Sequence, residues 1–347
     1  MQGIDLMDDV MAELGLWWAP HKERGPARVI EFLGLLLVNV PGLQCIGLTE
    51  RRQEGLLVRV GEWMERRELG ETTADPTDLA KLLGHLVFAS QVVPGGRTYM
   101  QGMLSQLGGL EVDWARGVVR PLRGTGSWRR VRLTGAFWRD LAWWAEALET
   151  RNCVTLDAPR GASAAILGTD ASDWGTGQVA FLDGGREEVQ LRFTAAEQRR
   201  SINWRELLGI TRAIELYGER MQGMQVLVEG DNTASLGAAS KWSSKSPGMQ
   251  ELVRRMFDAV ERWGIRVRFC HTPGVMLHRP DQTSRGDVVE EPRGRFTEQV
   301  FGLLRRRFGE FTEFTGAERE FRSASGGVAS SGDGPQGGAR EAPLVWM

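Results

Sequence analysis

Apolar positions recur at steps of three and four residues from about 49 to 150. In LTERRQEGLLVRVGEWMERREL, LAKLLGHLVFASQVV and LTGAFWRDLAWWAEAL this spacing predicts amphipathic helices, the last over 133–148. Asp75-Pro76-Thr77-Asp78, ahead of the second run, reads as a helix start. Nearer the N-terminus, residues 5–16 read as a short amphipathic helix. RVIEFLGLLLV (28–38) reads as one buried strand, with QCIGL (44–48) pairing across Pro41-Gly42.

Past Pro159-Arg160-Gly161 the pattern changes. Residues 163–183 read as strand, turn, strand, with Gly175 and Gly177 at the turn, and QLRF (190–193) as a third strand. A helix follows over 203–221, a strand over 224–230, and helices over 232–240 and 247–263. IRVRFCHT (265–272) alternates like a strand, and Asp281 opens a last helix. The order β-β-β-α-β-α-α-β-α predicts an α/β domain on a mixed sheet. After about 290 the signal fades. From Ser323 the chain is rich in Gly and Ser and is expected to be disordered.

The length of 347 residues suits two domains and a tail. A net charge of −2 gives no overall pull toward nucleic acid, so any basic face must be local. Cys45, Cys153 and Cys270 fit neither a disulfide framework nor a zinc spacing, which points to a reducing, intracellular compartment, cytoplasm or nucleus. No apolar stretch approaches the roughly 20 residues of a membrane span. The acidic start MQGIDLMDDVMAEL lacks the order of a signal peptide. The 13 tryptophans are expected in cores rather than as stacking platforms.

Four acids stand out. Asp170 ends the run AAILGTD, Glu206 lies inside the helical INWRELLGI, Asp231 follows the strand-like VLVEG, and Asp281 lies in HRPDQTSR. Taken singly, each reads as a surface carboxylate or a helix cap. Carboxylates brought by separate elements to one sheet edge are what a two-metal phosphodiester site needs. Glu229 is expected to pair with a neighbouring Arg, and Asp173 and Asp183 to sit in turns.

Thr169-Asp170-Ala171-Ser172, Ile202-Asn203-Trp204-Arg205-Glu206-Leu207, Asp231-Asn232-Thr233, and His271-Thr272-Pro273-Gly274 through Asp281-Gln282-Thr283-Ser284-Arg285 occur in that order. Together they resemble the ribonuclease H domain of reverse-transcribing elements, DIRS-like retrotransposons and their relatives. The resemblance implies a ribonuclease H-like domain over 161–290, with a mixed five-stranded sheet and flanking helices. It extends upstream: 1–48 resembles the end of a reverse-transcriptase palm, with the Phe32-Leu33-Gly34 turn, and 49–160 its mostly helical thumb and connection. Residues 291–347 would be a C-terminal extension. His278 and Pro280 depart from the family pattern, which has Asn and Ala there; Pro suits the first turn of a helix. Leu6-Met7-Asp8-Asp9 mimics a polymerase box but lies in a helical pattern, too close to Leu14-Gly15-Leu16, and reads as a helix start. Polymerisation is therefore not expected, and the polymerase half would lie upstream.

The resemblance further implies metal-dependent cleavage of the RNA strand of an RNA–DNA hybrid. Asp170, Glu206, Asp231 and Asp281 would hold two Mg²⁺ ions, with Mn²⁺ a possible substitute. Asp170 would bridge the ions, and Asp281 would hold the second. His271 would help move protons or release product. Asn203, Asn232 and Arg285 are the candidate contacts to nucleic acid, although Asn also fixes local backbone readily. The alternatives are a catalytically inactive nucleic-acid-binding remnant and a resolvase or transposase of related fold. The helix Glu206 and the His271–Gly274 frame weigh against the last.

Overall fold

The computed structural model describes residues 9–15, 27–113, 116, 118–121, 130–156, 164–274 and 277–285. Most of the Leu6–Asp9 box, Trp17-Trp18 and the extension 291–347 lie outside the described residues. The chain divides into two compact units, 1–96 with 109–157, and 97–108 with 158–347. The sequence reading had placed boundaries at 48 and 160. Among the described residues, no helix is long and apolar enough to cross a membrane.

In the first unit, α1 (residues 9–13) is a short helix. Strands β1 (Val29–Phe32), β2 (Leu35–Val40) and β3 (Leu43–Leu48) then form an antiparallel meander. Residues 28–38 are thus a hairpin and not the single buried strand expected. Leu33 and Gly34 both take positive φ (53° and 79°), the geometry of a two-residue hairpin turn, and neither strand is fully buried. The unit continues with α2 (Glu50–Glu68), β4 (Thr73–Ala74) and α3 (Pro76–Ala89). Asp75 caps α3 as expected, its Oδ1 accepting from the N–H groups of Thr77 (2.8 Å) and Asp78 (3.2 Å). After 108 come β5 (Leu110–Asp113), β6 (Val118–Pro121), β7 (Val131–Arg132) and α5 (Gly135–Thr150), whose Phe137, Leu141, Trp144 and Leu148 are fully buried. Strand β8 (Cys153–Thr155) pairs with β3, so a segment read as helical thumb closes the N-terminal sheet.

In the second unit, the short α4 (Gln101–Leu104) lies in the 97–108 segment. A five-stranded sheet follows, made of β9 (Ala164–Ala171), β10 (Gly175–Leu182), β11 (Gly185–Arg192), β12 (Gln225–Gly230) and β13 (Arg266–His271). Its order is β11-β10-β9-β12-β13, antiparallel from β11 to β9 and parallel from β9 through β13. Helices α6 (Ala195–Gln198), α7 (Ile202–Tyr217), α8 (Thr233–Lys241), α9 (Pro247–Trp263) and α10 (His278–Arg285) complete it. The predicted element order holds, with α6 added. Gly175 and Gly177 lie inside β10; the turn they were assigned to is Ser172–Trp174, closed by the Ser172 hydroxyl accepting from Trp174 N (3.1 Å) and Gly175 N (3.2 Å). The β10–β11 turn falls on Asp183-Gly184, both at positive φ (54° and 72°).

Alternation along β9 splits its side chains between two covers. Ala165, Leu167 and Ala171 join Leu207, Ile210 and Ile214 of α7 and Val253 and Met256 of α9 in one core. Burying a Leu or Ile there contributes about 1.5–3 kcal/mol each, well beyond any helix propensity. Gly168 and Asp170 face the other way, toward α10. A Cβ built on Gly168 would lie 3.0 Å from Pro280 Cγ, and one on Gly177 would overlap the Pro280 carbonyl and the Ser284 amide. Glycine at 177 is therefore required by close approach of α10. Gly177→Ala is expected to destabilise the chain by about 1–3 kcal/mol in chemical denaturation, since backbone on both sides resists displacement. Gly237→Ala, with open space around its Cβ position, is the control expected to show no loss.

Candidate metal centre

The parallel register aligns Gly168 of β9 with Glu229 of β12. Two residues further along each strand lie Asp170 and Asp231, which this register sets abreast at the carboxyl ends of neighbouring strands. Glu206 arrives from α7. Its helix is started by Ser201, whose hydroxyl accepts from Trp204 N (3.4 Å), and its buried stripe on the sheet turns Glu206 toward the end of β9. Glu206 Oε1 accepts from the Ala171 N–H at 3.2 Å. Oxygens of Asp170, Glu206 and Asp231 come within 4.8 Å of one another.

Asp281 stands beside this group, not within it. It lies in the first half of α10, near enough to raise the pKa of Asp170, and its Oδ1 accepts from Arg285 Nε at 2.8 Å. Arg285, a candidate phosphate contact, is thus engaged by Asp281. Asn232 caps α8, its Oδ1 accepting from Ala234 N (3.0 Å) and Ser235 N (2.9 Å), while its amide donates to Asn203 Oδ1 (2.9 Å). His271 is exposed at the end of β13. Gly274, three residues on, approaches Asp231: a Cβ there would lie 2.9 Å from Asp231 Oδ2.

Glu229 forms no ion pair among the described residues, contrary to expectation. It is buried and accepts from the Thr272 hydroxyl at 3.0 Å, and burial raises its pKa despite that bond. Asp173 does pair with an arginine, Arg205 Nη1, at 3.0 Å. The polar group missed in the sequence is Ser284, whose Oγ lies 3.2 Å from Asp170 Oδ2. Its only signal was its place in the final motif.

Burial is the first cause that moves the acids, and mutual repulsion the second. Burial, then the charge of Asp231 and more weakly that of Asp281, push Asp170 up to about 6, against hydrogen bonds from Ser284 and Ala171. Burial, then Asp170 and Asp231, push Glu206 up to about 9. An all-oxygen donor set suits a hard divalent cation, and clustered carboxylates that resist ionisation are relieved by one. The three residues therefore fit a divalent metal.

A mixed sheet of this strand order, carrying acids at the ends of its central strands with a third from the helix behind, decides the architecture. The second unit is a ribonuclease H-like α/β domain. No protein-family model matches the chain, and comparison with curated proteins finds no match. Among solved structures, the chain is similar to ribonuclease H1 from Halobacterium salinarum NRC-1, with 15% identity over 36% of this chain and 98% of that one, TM-score 0.28. It is likewise similar to LC11-RNase H1 isolated from compost by a metagenomic approach, with 19% identity over 36% of this chain and 95% of that one, TM-score 0.29. A foamy viral protease-reverse transcriptase in complex with double-stranded DNA gives 16% identity over 71% of this chain, TM-score 0.27. The chain spans 38% of that viral protein. Likenesses at this level say nothing of activity.

Both large shifts are upward, so the folded ribonuclease H-like domain holds these protons more tightly than the unfolded chain. Their contribution to stability is full below about pH 4 and is lost as pH rises through about 6 for Asp170 and about 9 for Glu206. In chelator, the melting temperature is expected to fall across that window. Glu206→Gln should flatten the upper part and raise stability at about pH 8 by on the order of 1–3 kcal/mol. A pH profile identical to that of the parent chain would show that Glu206 is not the strained acid.

Proposed function

We propose that the ribonuclease H-like domain is a metal-dependent nuclease that cleaves the RNA strand of RNA–DNA hybrids, in the context of a reverse-transcribing element of DIRS-like or related type. The observation that carries this reading is the meeting of Asp170, Glu206 and Asp231 within 4.8 Å, from two strands and a helix distant in sequence. Their order in the four motifs adds to it.

Asp170, Glu206 and Asp231 would hold Mg²⁺ or Mn²⁺, and Asp281, beside Asp170, would serve a second ion once released from Arg285. Two such ions, when bound, supply an activated water and neutralise charge on the leaving oxygen. The chain's own residues do the rest. Glu206, and below about pH 6 also Asp170, keeps a proton that a cation displaces, so metal uptake strengthens as pH rises. His271, exposed at the end of β13, would help move protons or release product. Asn232 is committed to the α8 cap and to Asn203, which leaves the Asn203 amide N–H groups without a partner among the described residues. Those donors suit 2′-hydroxyls, the groups that distinguish RNA from DNA.

In this reading the unit of 1–96 and 109–157 corresponds to the palm end and the thumb and connection of such an enzyme. An upstream polymerase half is then its natural partner.

The test is cleavage of a labelled hybrid by the full chain. Mg²⁺-dependent cutting of the RNA strand is expected, lost by at least about 100-fold in Asp170→Asn while hybrid binding persists. Cutting that survives the substitution rejects the site. Binding by the parent chain without turnover in Mg²⁺ or Mn²⁺ favours a non-catalytic binding role.

A further inference from the structure

The nuclease reading uses the acids but leaves a wholly buried hydroxyl beside them unexplained. Ser284 lies in the last turn of α10 and is 0% exposed. Its Oγ is 2.8 Å from the Asp281 carbonyl and 3.2 Å from Asp170 Oδ2. Its own carbonyl is gripped from two sides, by the Ser172 hydroxyl at 2.8 Å and by Gln190 Nε2 at 3.0 Å. Its backbone amide rests against Gly177, where no side chain would fit. Three places on the sheet therefore fix this one serine: the β9–β10 turn, β10 itself and β11.

The contrast with Asp170 matters. The terminal torsion of an aspartate is broad, so a carboxylate at a strand end turns unless something holds it. Burial covers Asp170 without orienting it, and the neighbouring acids repel it. Among the described residues, Ser284 is the side chain that donates a hydrogen bond to it, its single proton shared between Asp170 Oδ2 and the nearer Asp281 carbonyl, and the Ala171 backbone N–H adds a second.

We propose that Ser284 is a positioning residue of the nuclease centre: from its seat on the sheet it holds one oxygen of Asp170 and fixes the carboxylate for the cation. The same hydroxyl touches the backbone of Asp281, so one group registers α10, and the acid it carries, against the central strand. The role rests on the nuclease reading and adds to it the group that orients the main ligand. Hydrogen-bond partners of ligating carboxylates are worth about 10–100-fold in metal affinity or activity.

The experiment is a thermal-shift titration of the full chain with Mn²⁺ alone, without nucleic acid. The melting temperature of the parent chain is expected to rise with Mn²⁺. Ser284→Ala should need roughly 10-fold more Mn²⁺ for the half-maximal rise. Ser284→Thr, which keeps the hydroxyl, should stay near the parent midpoint. Gln190→Ala, which loosens the seat but leaves the hydroxyl, should lower the metal-free melting temperature more than it moves the midpoint. If Ser284→Ala does not fold, Ser284→Cys, a weaker donor of similar size, carries the same expectation. A lowered metal-free melting temperature with an unmoved midpoint would make Ser284 a packing residue and overturn the role alone. A parent chain indifferent to Mn²⁺ would overturn the metal centre and this role with it.

Discussion

Three carboxylates held within 4.8 Å of one another set the constraint to which the second unit answers. Two like charges about 4 Å apart cost about 4 kcal/mol at the effective dielectric of a protein surface. Little cationic charge offsets this locally: among the described residues no Lys or Arg forms an ion pair with Asp170, Glu206 or Asp231, and the charge of Arg205 is the last of the influences on Glu206. Arg205, next to Glu206 in sequence, turns instead to Asp173 and the Ser172 carbonyl, both at 3.0 Å. The repulsion is absorbed by a proton on Glu206, joined below about pH 6 by one on Asp170, and by a backbone N–H at the end of β9. Such a pocket is stable without metal only in proportion to how far it stays uncharged, which ties its folding to the cation it would bind.

The central strands β9, β10 and β12 are buried on both faces. On one face, α7 packs through Leu207, Ile210 and Ile214 and delivers Glu206. On the other, α10 settles onto Gly168 and Gly177, which brings Pro280 and Ser284 against β9 and β10. Asp170 points to the α10 face and Glu206 comes from the α7 face, so the two meet only at the strand end. A strand end is where side chains from both faces, and from the parallel neighbour β12, can converge without crossing the sheet.

Much of this was legible along the chain. The strands and helices of the second unit follow from hydrophobic period and turn chemistry, which act over a few residues. The Asp75 start of α3 was readable for the same reason, whereas Asp170, Glu206, Asp231 and Asp281 stood out only through four ordered motifs that resemble a known family, and the first three of them meet. The first unit was read less well. Its apolar run 28–38 looked continuous because period alone does not show that Leu33 and Gly34 turn it into a hairpin. Likewise Cys153–Thr155, too short to carry a pattern, adds a strand to β3 more than 100 positions earlier in the chain.

What the sequence determined by itself was therefore the elements of the second unit, because local propensity and spacing decide them, while the four candidate acids were marked by the order of motifs that resemble a known family. The tertiary structure alone decided how they meet. Nothing local relates Ala171 to Glu206 across 35 positions, or Asp170 to Ser284 across 114. Those distances are closed by the β9–β12 register and by the seat of α10. The same contacts left Asp281 beside the triplet with Arg285, and gave Glu229 a threonine where an arginine was expected.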